Sequence, residues 1–174
     1  YNLGYCYYES EEYKKAYPYF EKVYQIDNDI LDPRIREAVL RAADCYFMDK
    51  NFSKAKSLYS KVMETAGFGV DYATFQLSLI EGIRSTTNKI KQYNVLIKEF
   101  PSSPQAAEAL ENAKLLYLED GKIDDYQHFL ESAGKSISSV EKDSLTYRYI
   151  QNAYAIDPSA AILGTLESYI SQYP

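Results

Sequence analysis

The sequence predicts an all-α fold, an α-solenoid of about five stacked helix-turn-helix repeats. Two helical stretches carry small, aromatic and aliphatic residues in the same order, at a constant offset of 39 residues. Self-similarity at a fixed period is typical of repeat proteins, in which one helix pair is copied and stacked. The corresponding residues are Leu3 and Ala42, Gly4 and Ala43, Tyr7 and Tyr46, Ala16 and Ala55, Phe20 and Tyr59, and Val23 and Val62.

The composition favours helices and argues against two classes of partner. Of 174 residues, 46% are hydrophobic, glycine and proline are scarce at seven and six, and strand-like alternation is nearly absent. A net charge of −6 opposes binding to a phosphate backbone, so no nucleic-acid partner is expected. No apolar stretch approaches the roughly 20 residues of a membrane span, so no span is expected in this segment.

Helix-start signals divide the chain into ten predicted helices. Asp32-Pro33, Ser103-Pro104 and Asp157-Pro158 each place a capping side chain before a proline of the first turn, and Ser138 forms a capping box with Glu141. Between these signals, apolar residues recur at helical spacing. The predicted helices are 1–8, 11–27, 33–48, 52–66, 70–84, 86–100, 104–119, 122–133, 139–156 and 158–173.

Paired in order, these helices predict a single array over residues 1–174. Gly67, Gly121 and Gly134 follow apolar runs and are expected to end helices in a left-handed conformation. Because Tyr1 already lies inside a helical pattern, we expect the chain to be a fragment of a longer protein. The predicted repeats are about 1–32, 33–69, 70–103, 104–138 and 139–174.

The repeated positions resemble the tetratricopeptide repeat family, whose unit is about 34 residues long. The resemblance covers the whole chain and is strongest in Leu3-Gly4, Tyr7, Ala16 and Phe20 and in their counterparts in the second copy. Later copies depart from the family pattern, with Lys114 where glycine is preferred and with Lys89 and Tyr126 where alanine is preferred. The resemblance implies a right-handed superhelix that binds proteins in a concave groove lined by the first helix of each pair.

Two strings also resemble a bacterial variant of this family. Residues 99–110, with a proline-serine-proline junction before an alanine-rich helix, and residues 169–174 look like periplasmic and outer-membrane-assembly tetratricopeptide proteins. The 19 tyrosines without a tryptophan match large repeat proteins of the Bacteroides group. This resemblance favours the cell envelope, either the periplasm or an outer-membrane association, over the cytoplasm.

Residues that could support catalysis or metal binding are few. His128 is the only histidine, and no glycine-rich phosphate loop is present. Cys6 and Cys45 occupy equivalent positions of two copies, about 10 Å apart, which exceeds the roughly 7 Å limit for a disulfide, so we expect two buried free thiols. The sequence predicts no catalytic residue, no metal site, no cofactor and no enzyme activity.

The groove positions of the family, carried onto this sequence, predict an aromatic and acidic binding surface. Such a surface suits a protein or peptide with basic or apolar anchors and disfavours an acidic peptide. The predicted groove residues are Tyr1, Tyr5, Tyr8 and Glu9 in the first copy, Leu40, Asp44, Phe47 and Met48 in the second, Thr74, Ser78 and Glu81 in the third, Glu111, Leu115 and Leu118 in the fourth, and Tyr147, Gln151 and Tyr154 in the fifth.

The leading functional hypothesis is therefore a non-catalytic scaffold that binds an extended peptide or a partner helix. One alternative is a glycan-binding helical-repeat lipoprotein of a nutrient-uptake system, in which aromatic rings stack on sugars. Another alternative is a spacer or self-assembling segment, since the uncapped ends of an array can pair with another copy.

Overall fold

A computed structural model describes residues 1–158 and 160–172. Within them the chain forms ten helices and no strand, which confirms the all-α helical-repeat class. The helices are α1 (Asn2–Glu9), α2 (Tyr13–Ile26), α3 (Pro33–Met48), α4 (Phe52–Met63), α5 (Val70–Gly82), α6 (Thr86–Glu99), α7 (Pro104–Glu119), α8 (Ile123–Ser132), α9 (Ser139–Ile156) and α10 (Ala160–Gln172).

Helix ends follow the predicted capping chemistry. The side chain of Asp32 accepts a hydrogen bond from the backbone N–H of Arg34 at 2.7 Å, and Ser138 accepts one from Glu141 at 3.1 Å. Gly121 and Gly134 have φ angles of 67° and 70°, the left-handed conformation expected after a helix. The predicted start of the last helix falls beside residue 159, which lies outside the described residues.

The helices fall into two compact units, residues 1–107 and residues 108–174, with the boundary inside α7. In unit 1 each helix from α1 to α6 packs against the next one in sequence, as a solenoid requires. In unit 2, Tyr117 of α7 packs against Phe129 of α8, and α9 packs against both α8 and α10. The single continuous array remains a prediction.

The repeated positions form the core of unit 1. Ala16 and Ala55 are fully buried, and so are their repeat partners Phe20 and Tyr59. At Gly4 an added Cβ would lie 3.1 Å from the Cβ of Tyr19, so this position needs a small residue where α1 crosses α2. Gly4 on α1 therefore leaves room for the Phe20 ring of α2, which lies 3.2 Å from the position of the added Cβ.

The two cysteines do not share an environment, and the expectation of two buried thiols is wrong for Cys6. Cys45 is fully buried on α3, which packs between α2 and α4, and burial raises the pKa of its thiol to about 12. Cys6 is exposed because α1 packs against helices on one side only in this structure. Both thiols are free.

Arg36 joins α3 to the end of α4 and to the linker between α4 and α5, a role that the sequence pattern does not reveal. Its side chain is buried, and its guanidinium donates five hydrogen bonds, the full complement for this group. The acceptors are the Phe68 carbonyl at 2.7 Å, the Thr65 hydroxyl at 2.7 Å, the Thr65 carbonyl at 2.8 Å, the Val62 carbonyl at 2.9 Å and the Ile30 carbonyl at 3.5 Å.

The turn that Arg36 holds also depends on Gly69. This residue has a φ of 77°, and an added Cβ would lie 2.7 Å from Cδ1 of Leu40. Left-handed geometry favours glycine, and the close approach leaves no room for a side chain. The α4–α5 turn is therefore held by the hydrogen bonds of Arg36 and by the close contact of Gly69 with Leu40.

Replacing Arg36 with methionine should lower the free energy of unfolding by about 3 kcal/mol, because the carbonyls of Val62, Thr65 and Phe68 lose a charged donor. Urea unfolding followed by circular dichroism measures this change. Arg34→Met is the control, since the Arg34 side chain is 81% exposed, and its loss should stay within about 0.5 kcal/mol. A similar small loss for Arg36→Met would contradict the role assigned to Arg36.

Candidate protein-binding surfaces

The first helices of the three pairs in unit 1 share one face. Tyr5 of α1 donates a hydrogen bond to Oε1 of Glu37 on α3 at 2.8 Å, and the Arg41 guanidinium on α3 lies 5.7 Å from the ring of Tyr72 on α5. These contacts bring α1, α3 and α5 together. We call this surface the first-helix face; it comprises Tyr1, Tyr5, Tyr8, Glu9, Glu37, Arg41 and Tyr72.

Asp44 is the buried centre beneath this face. Its Oδ1 accepts hydrogen bonds from the hydroxyls of Tyr59, at 2.6 Å, and Tyr72, at 2.9 Å. Its Oδ2 contacts Nη1 of Arg41 and accepts a longer bond of 3.4 Å from Tyr8. One carboxylate thus binds side chains from α1, α3, α4 and α5.

Arg41 lies between two aromatic rings. The guanidinium carbon is 5.7 Å from the ring centres of both Tyr8 and Tyr72, within the range of a cation–π interaction. Its Nε donates a hydrogen bond to Glu37 at 2.8 Å, and its Nη1 donates hydrogen bonds to Asp44 and Tyr8. Among the described residues, no acceptor is bonded to Nη2, and the Arg41 side chain is 21% exposed.

A row of rings extends the face along α1. Tyr1 and Tyr5 meet edge to face with ring centres 5.1 Å apart, and Tyr5 meets Phe20 of α2 in the same way at 5.1 Å. The Tyr1 side chain is 43% exposed, whereas Phe20 is fully buried. The buried ring orients the outer two, so the exposed tyrosine surface is held in place before any ligand arrives.

The electrostatics of the cluster follow from burial. Burial raises the pKa of Asp44, although the positive charge of Arg41 and the hydroxyls of three tyrosines oppose this effect. Burial and the nearby Asp44 charge both raise the pKa of Tyr59 and of Tyr72. The pKa of Arg41 is raised by its two carboxylate neighbours, which outweigh its own burial, so Arg41 stays charged.

The structure distributes the predicted groove residues over several environments. On the first-helix face, Tyr1 and Glu9 are exposed, while Tyr5 and Tyr8 are half-buried. Phe47 and Met48 lie at the end of α3, where Phe47 packs edge to face on Phe52. Glu81 pairs with Lys56 of α4. The exposed members in unit 2 are Glu111, Leu115, Tyr147, Gln151 and Tyr154, and Leu118 is half-buried.

Four predicted groove residues are buried and therefore need correction. Leu40 belongs to the core cluster around Val39 and Tyr59. Thr74 and Ser78 are each 1% exposed, and their hydroxyls bond to carbonyls of their own helix, those of Val70 and Phe75. Asp44 is 4% exposed, and its carboxylate holds the side chains of Arg41, Tyr59 and Tyr72 in place. These four side chains offer no surface to a ligand.

Sequence reasoning missed Glu37, Arg41 and Tyr72. The signal for the first two was present, since Glu37 and Arg41 are four residues apart and Arg41 and Asp44 three apart, the spacings at which helix side chains meet. Tyr72 reaches Asp44 from the following helix pair. No local spacing predicts a contact of that kind.

Unit 2 carries an apolar groove of about 530 Å³ between α7, α9 and α10. It includes Leu115 and Leu118, two of the predicted groove residues, but neither Tyr147 nor Tyr154. Tyr147 packs on Tyr169 instead, with ring centres 5.8 Å apart. The full lining is Leu115, Leu118, Glu119, Arg148, Tyr149, Asn152, Ala153, Ile156, Asp157 and Ile162.

Reactive side chains are dispersed. His128 is exposed on α8, with Nδ1 3.4 Å from a carboxylate oxygen of Glu131 on the same helix. In the part of the chain that the structure describes, no three His, Cys, Asp or Glu side chains are close enough to hold a metal ion. None of the described helices has the length and apolar character that crossing a membrane requires.

A comparison with protein families identifies one stretch of this chain. Residues 37–66 match the family model described as Tetratricopeptide repeat. The matched stretch runs from Glu37 through α3 and α4 and includes Arg41, Asp44 and Tyr59. This match supports the resemblance to the tetratricopeptide repeat family, whose repeats generally mediate protein–protein interaction and are generally non-catalytic.

The free energy of unfolding should fall as pH rises above about 10, the ordinary pKa of tyrosine. The unfolded chain then loses its phenolic protons, whereas folded Tyr59 and Tyr72 keep theirs because their pKa values are raised. The folded state binds more protons, so each such tyrosine lowers stability by about 1.4 kcal/mol per pH unit. Urea unfolding at several alkaline pH values measures the slope, and Tyr59→Phe should make it shallower; an unchanged slope would contradict the argument.

Removing the Asp44 carboxylate should strongly destabilise the fold. Asp44→Ala leaves Arg41 without its buried partner and frees two tyrosine hydroxyls, so we expect a loss of about 3 to 5 kcal/mol in the free energy of unfolding. Glu9→Ala removes an exposed carboxylate from the same face and should change stability by less than about 0.5 kcal/mol. Equal effects in the two variants, measured by thermal and urea unfolding, would disprove the central position of Asp44.

Proposed function

We propose that this protein is a non-catalytic scaffold that binds an extended peptide or a partner helix on the first-helix face of unit 1. We further propose that the tetratricopeptide repeat continues beyond residues 37–66 over the whole chain, since the same helix-pair design recurs in α1–α2 and α5–α6. First helices line the concave surface in proteins of this kind.

The observation that carries the proposal is the arrangement around Arg41. Its guanidinium is held by Glu37 and Asp44, lies between the rings of Tyr8 and Tyr72, and keeps Nη2 unbonded. Arginine and tyrosine are the residues that most often dominate the affinity of protein interfaces. Because the scaffold already orders these side chains, a ligand loses little of its binding energy to ordering them.

The partner should offer apolar or basic anchors together with backbone carbonyls. Exposed Tyr1 and half-buried Tyr5 and Tyr8 supply apolar contact area, and exposed Glu9 can pair with a lysine or an arginine. Nη2 of Arg41 can donate to a carbonyl of an extended peptide. The carboxylates of Glu9, Glu37 and Asp44 outnumber the Arg41 cation, which disfavours an acidic peptide here.

The apolar groove of unit 2 is a separate candidate contact, within that unit alone. Leu115 and Leu118 from α7 face Tyr149 and Ile156 from α9 across it. Leu115 is 56% exposed and Ile156 is 86% exposed, so apolar surface is available to an apolar side chain. We propose that the apolar groove of unit 2 accepts an apolar side chain of a partner.

The test is a pull-down from envelope and cytosolic fractions of the source organism, comparing the natural protein with a Tyr1→Ala, Arg41→Lys double variant. Lysine keeps the positive charge beside Asp44 but removes the flat guanidinium and Nη2. We expect recovery of the partner to fall about tenfold or more. Arg34→Lys, the same replacement at an exposed position of α3, should leave recovery unchanged, and thermal unfolding checks that all variants are folded.

Equal recovery by the natural protein and the double variant would refute the first-helix face as the binding surface. A partner found only in the envelope fraction would support the proposed location in the periplasm or at the outer membrane. Recovery of no partner would favour the spacer or self-assembly alternative, which light scattering at increasing protein concentration tests directly. Binding of a glycan rather than a protein would favour the nutrient-uptake alternative.

A further inference from the structure

The second helices of unit 1 are strongly basic, although the whole chain is acidic. Helices α2, α4 and α6 carry nine lysines against two glutamates, Glu21 and Glu99. Residues 1–107 contain 14 acidic and 14 basic side chains, so the net charge of −6 arises in residues 108–174. Unit 1 is neutral in sum, but its positive charge is concentrated on one set of helices.

Few of these lysines are neutralised. Lys14 pairs with Asp49 at 3.2 Å, and Lys15 and Lys56 pair with Glu12 and Glu81. Among the described residues the remaining six form no ion pair. We call these six the second-helix lysines; they are Lys22, Lys54, Lys61, Lys89, Lys91 and Lys98.

Tyrosine rings position four of these ammonium groups. Lys54 lies 4.7 Å from the ring centre of Tyr46, and Lys61 lies 5.7 Å from that of Tyr24. Lys22 and Lys89 lie over Tyr19 and Tyr93 at 5.7 and 5.6 Å. A cation over a ring is held without being neutralised. The Lys54 ammonium also donates a hydrogen bond to the Tyr46 hydroxyl at 3.2 Å, and none of the four groups forms an ion pair among the described residues.

The second-helix lysines belong to neighbouring helices. Lys61 of α4 reaches Tyr24 of α2, which brings α2 and α4 into contact. A cavity of about 400 Å³ is lined by Met63 of α4 and by Gln92 of α6, which makes α4 and α6 neighbours as well. Three glutamates lie near these helices. Glu21 accepts hydrogen bonds from Tyr46 at 2.6 Å and from Tyr24 at 3.5 Å, whereas Glu64 and Glu81 line the cavity between α4 and α6.

We infer that the second-helix lysines of α2, α4 and α6 form a docking surface for an acidic segment of a partner polypeptide, separate from the first-helix face. Six unpaired ammonium groups complement closely spaced carboxylates. The two faces of unit 1 therefore accept opposite chemistries: basic or apolar anchors on the first helices and acidic segments on the second.

A polypeptide fits this surface better than a larger polyanion. The chain as a whole carries a net charge of −6, which opposes binding of a long nucleic acid or an anionic membrane. A short acidic segment responds chiefly to charges within the screening distance of about 10 Å at 0.1 M salt. An extended segment of about twelve residues reaches about 40 Å, enough to cross three neighbouring helices spaced about 10 Å apart.

Fluorescence anisotropy of a labelled poly-glutamate peptide of about that length tests the inference. The natural protein should bind the peptide at low salt and release it as salt rises. Lys54→Gln with Lys61→Gln should weaken binding about five- to tenfold, since each exposed ion pair contributes up to about 1 kcal/mol. The matched control, Lys122→Gln with Lys135→Gln, changes the net charge equally in unit 2 and should have less than about a twofold effect.

A second pair, Lys91→Gln with Lys98→Gln, probes the same surface without touching a ring contact and should weaken binding comparably. Absence of salt-sensitive binding by the natural protein, or equal losses in the lysine variants and the unit 2 control, would overturn the inference. Tighter binding of a thymidine oligonucleotide or of phosphatidylserine vesicles of matched charge would replace it with a nucleic-acid or membrane surface. Thermal unfolding of each variant separates loss of binding from loss of fold.

Discussion

The buried Asp44 carboxylate is the constraint on which much of unit 1 depends. A charge in the interior costs several kcal/mol unless donors replace the lost water, and here Arg41, Tyr59, Tyr72 and, at longer range, Tyr8 supply them. These donors come from four helices. Any sliding of one pair along the next would leave the carboxylate with fewer donors, so the network fixes the register of neighbouring pairs in a way that apolar packing alone does not.

Much of the fold could be predicted because its determinants are local. The Asp32 and Ser138 caps act within three residues, and the buried residues Ala16 and Ala55 recur at the repeat offset. The role of Arg36 was not predicted because four of its five acceptors lie 26 to 32 residues away, and three of those four are backbone carbonyls, which carry no side-chain signature. The exposure of Cys6 was not predicted, because equivalent positions of two repeats need not have equivalent neighbours.

The candidate site was only partly predictable, for a related reason. The family pattern places Leu40 and Asp44 in the groove, yet it cannot say how far each side chain projects past its neighbours. Leu40 turns into the space beside Gly69, and Asp44 is covered by the tyrosines that it binds. Arg41, which is half-buried, is more exposed than either of them, and its position depends on contacts with two other helices. The chemistry of a groove is set by tertiary contacts even where its backbone is set by the repeat.

The first and second helices of unit 1 differ in charge because their carboxylates have different partners. On the first helices, Glu37 and Asp44 share Arg41 and remain part of a rigid network. On the second helices, Glu21 is occupied by tyrosine hydroxyls, while lysines lie over rings that cannot neutralise them. Tyrosine serves both arrangements, because its hydroxyl satisfies a carboxylate and its ring face attracts a cation. The abundance of tyrosine therefore allows opposite charges to be held on opposite sets of helices without a matching number of ion pairs.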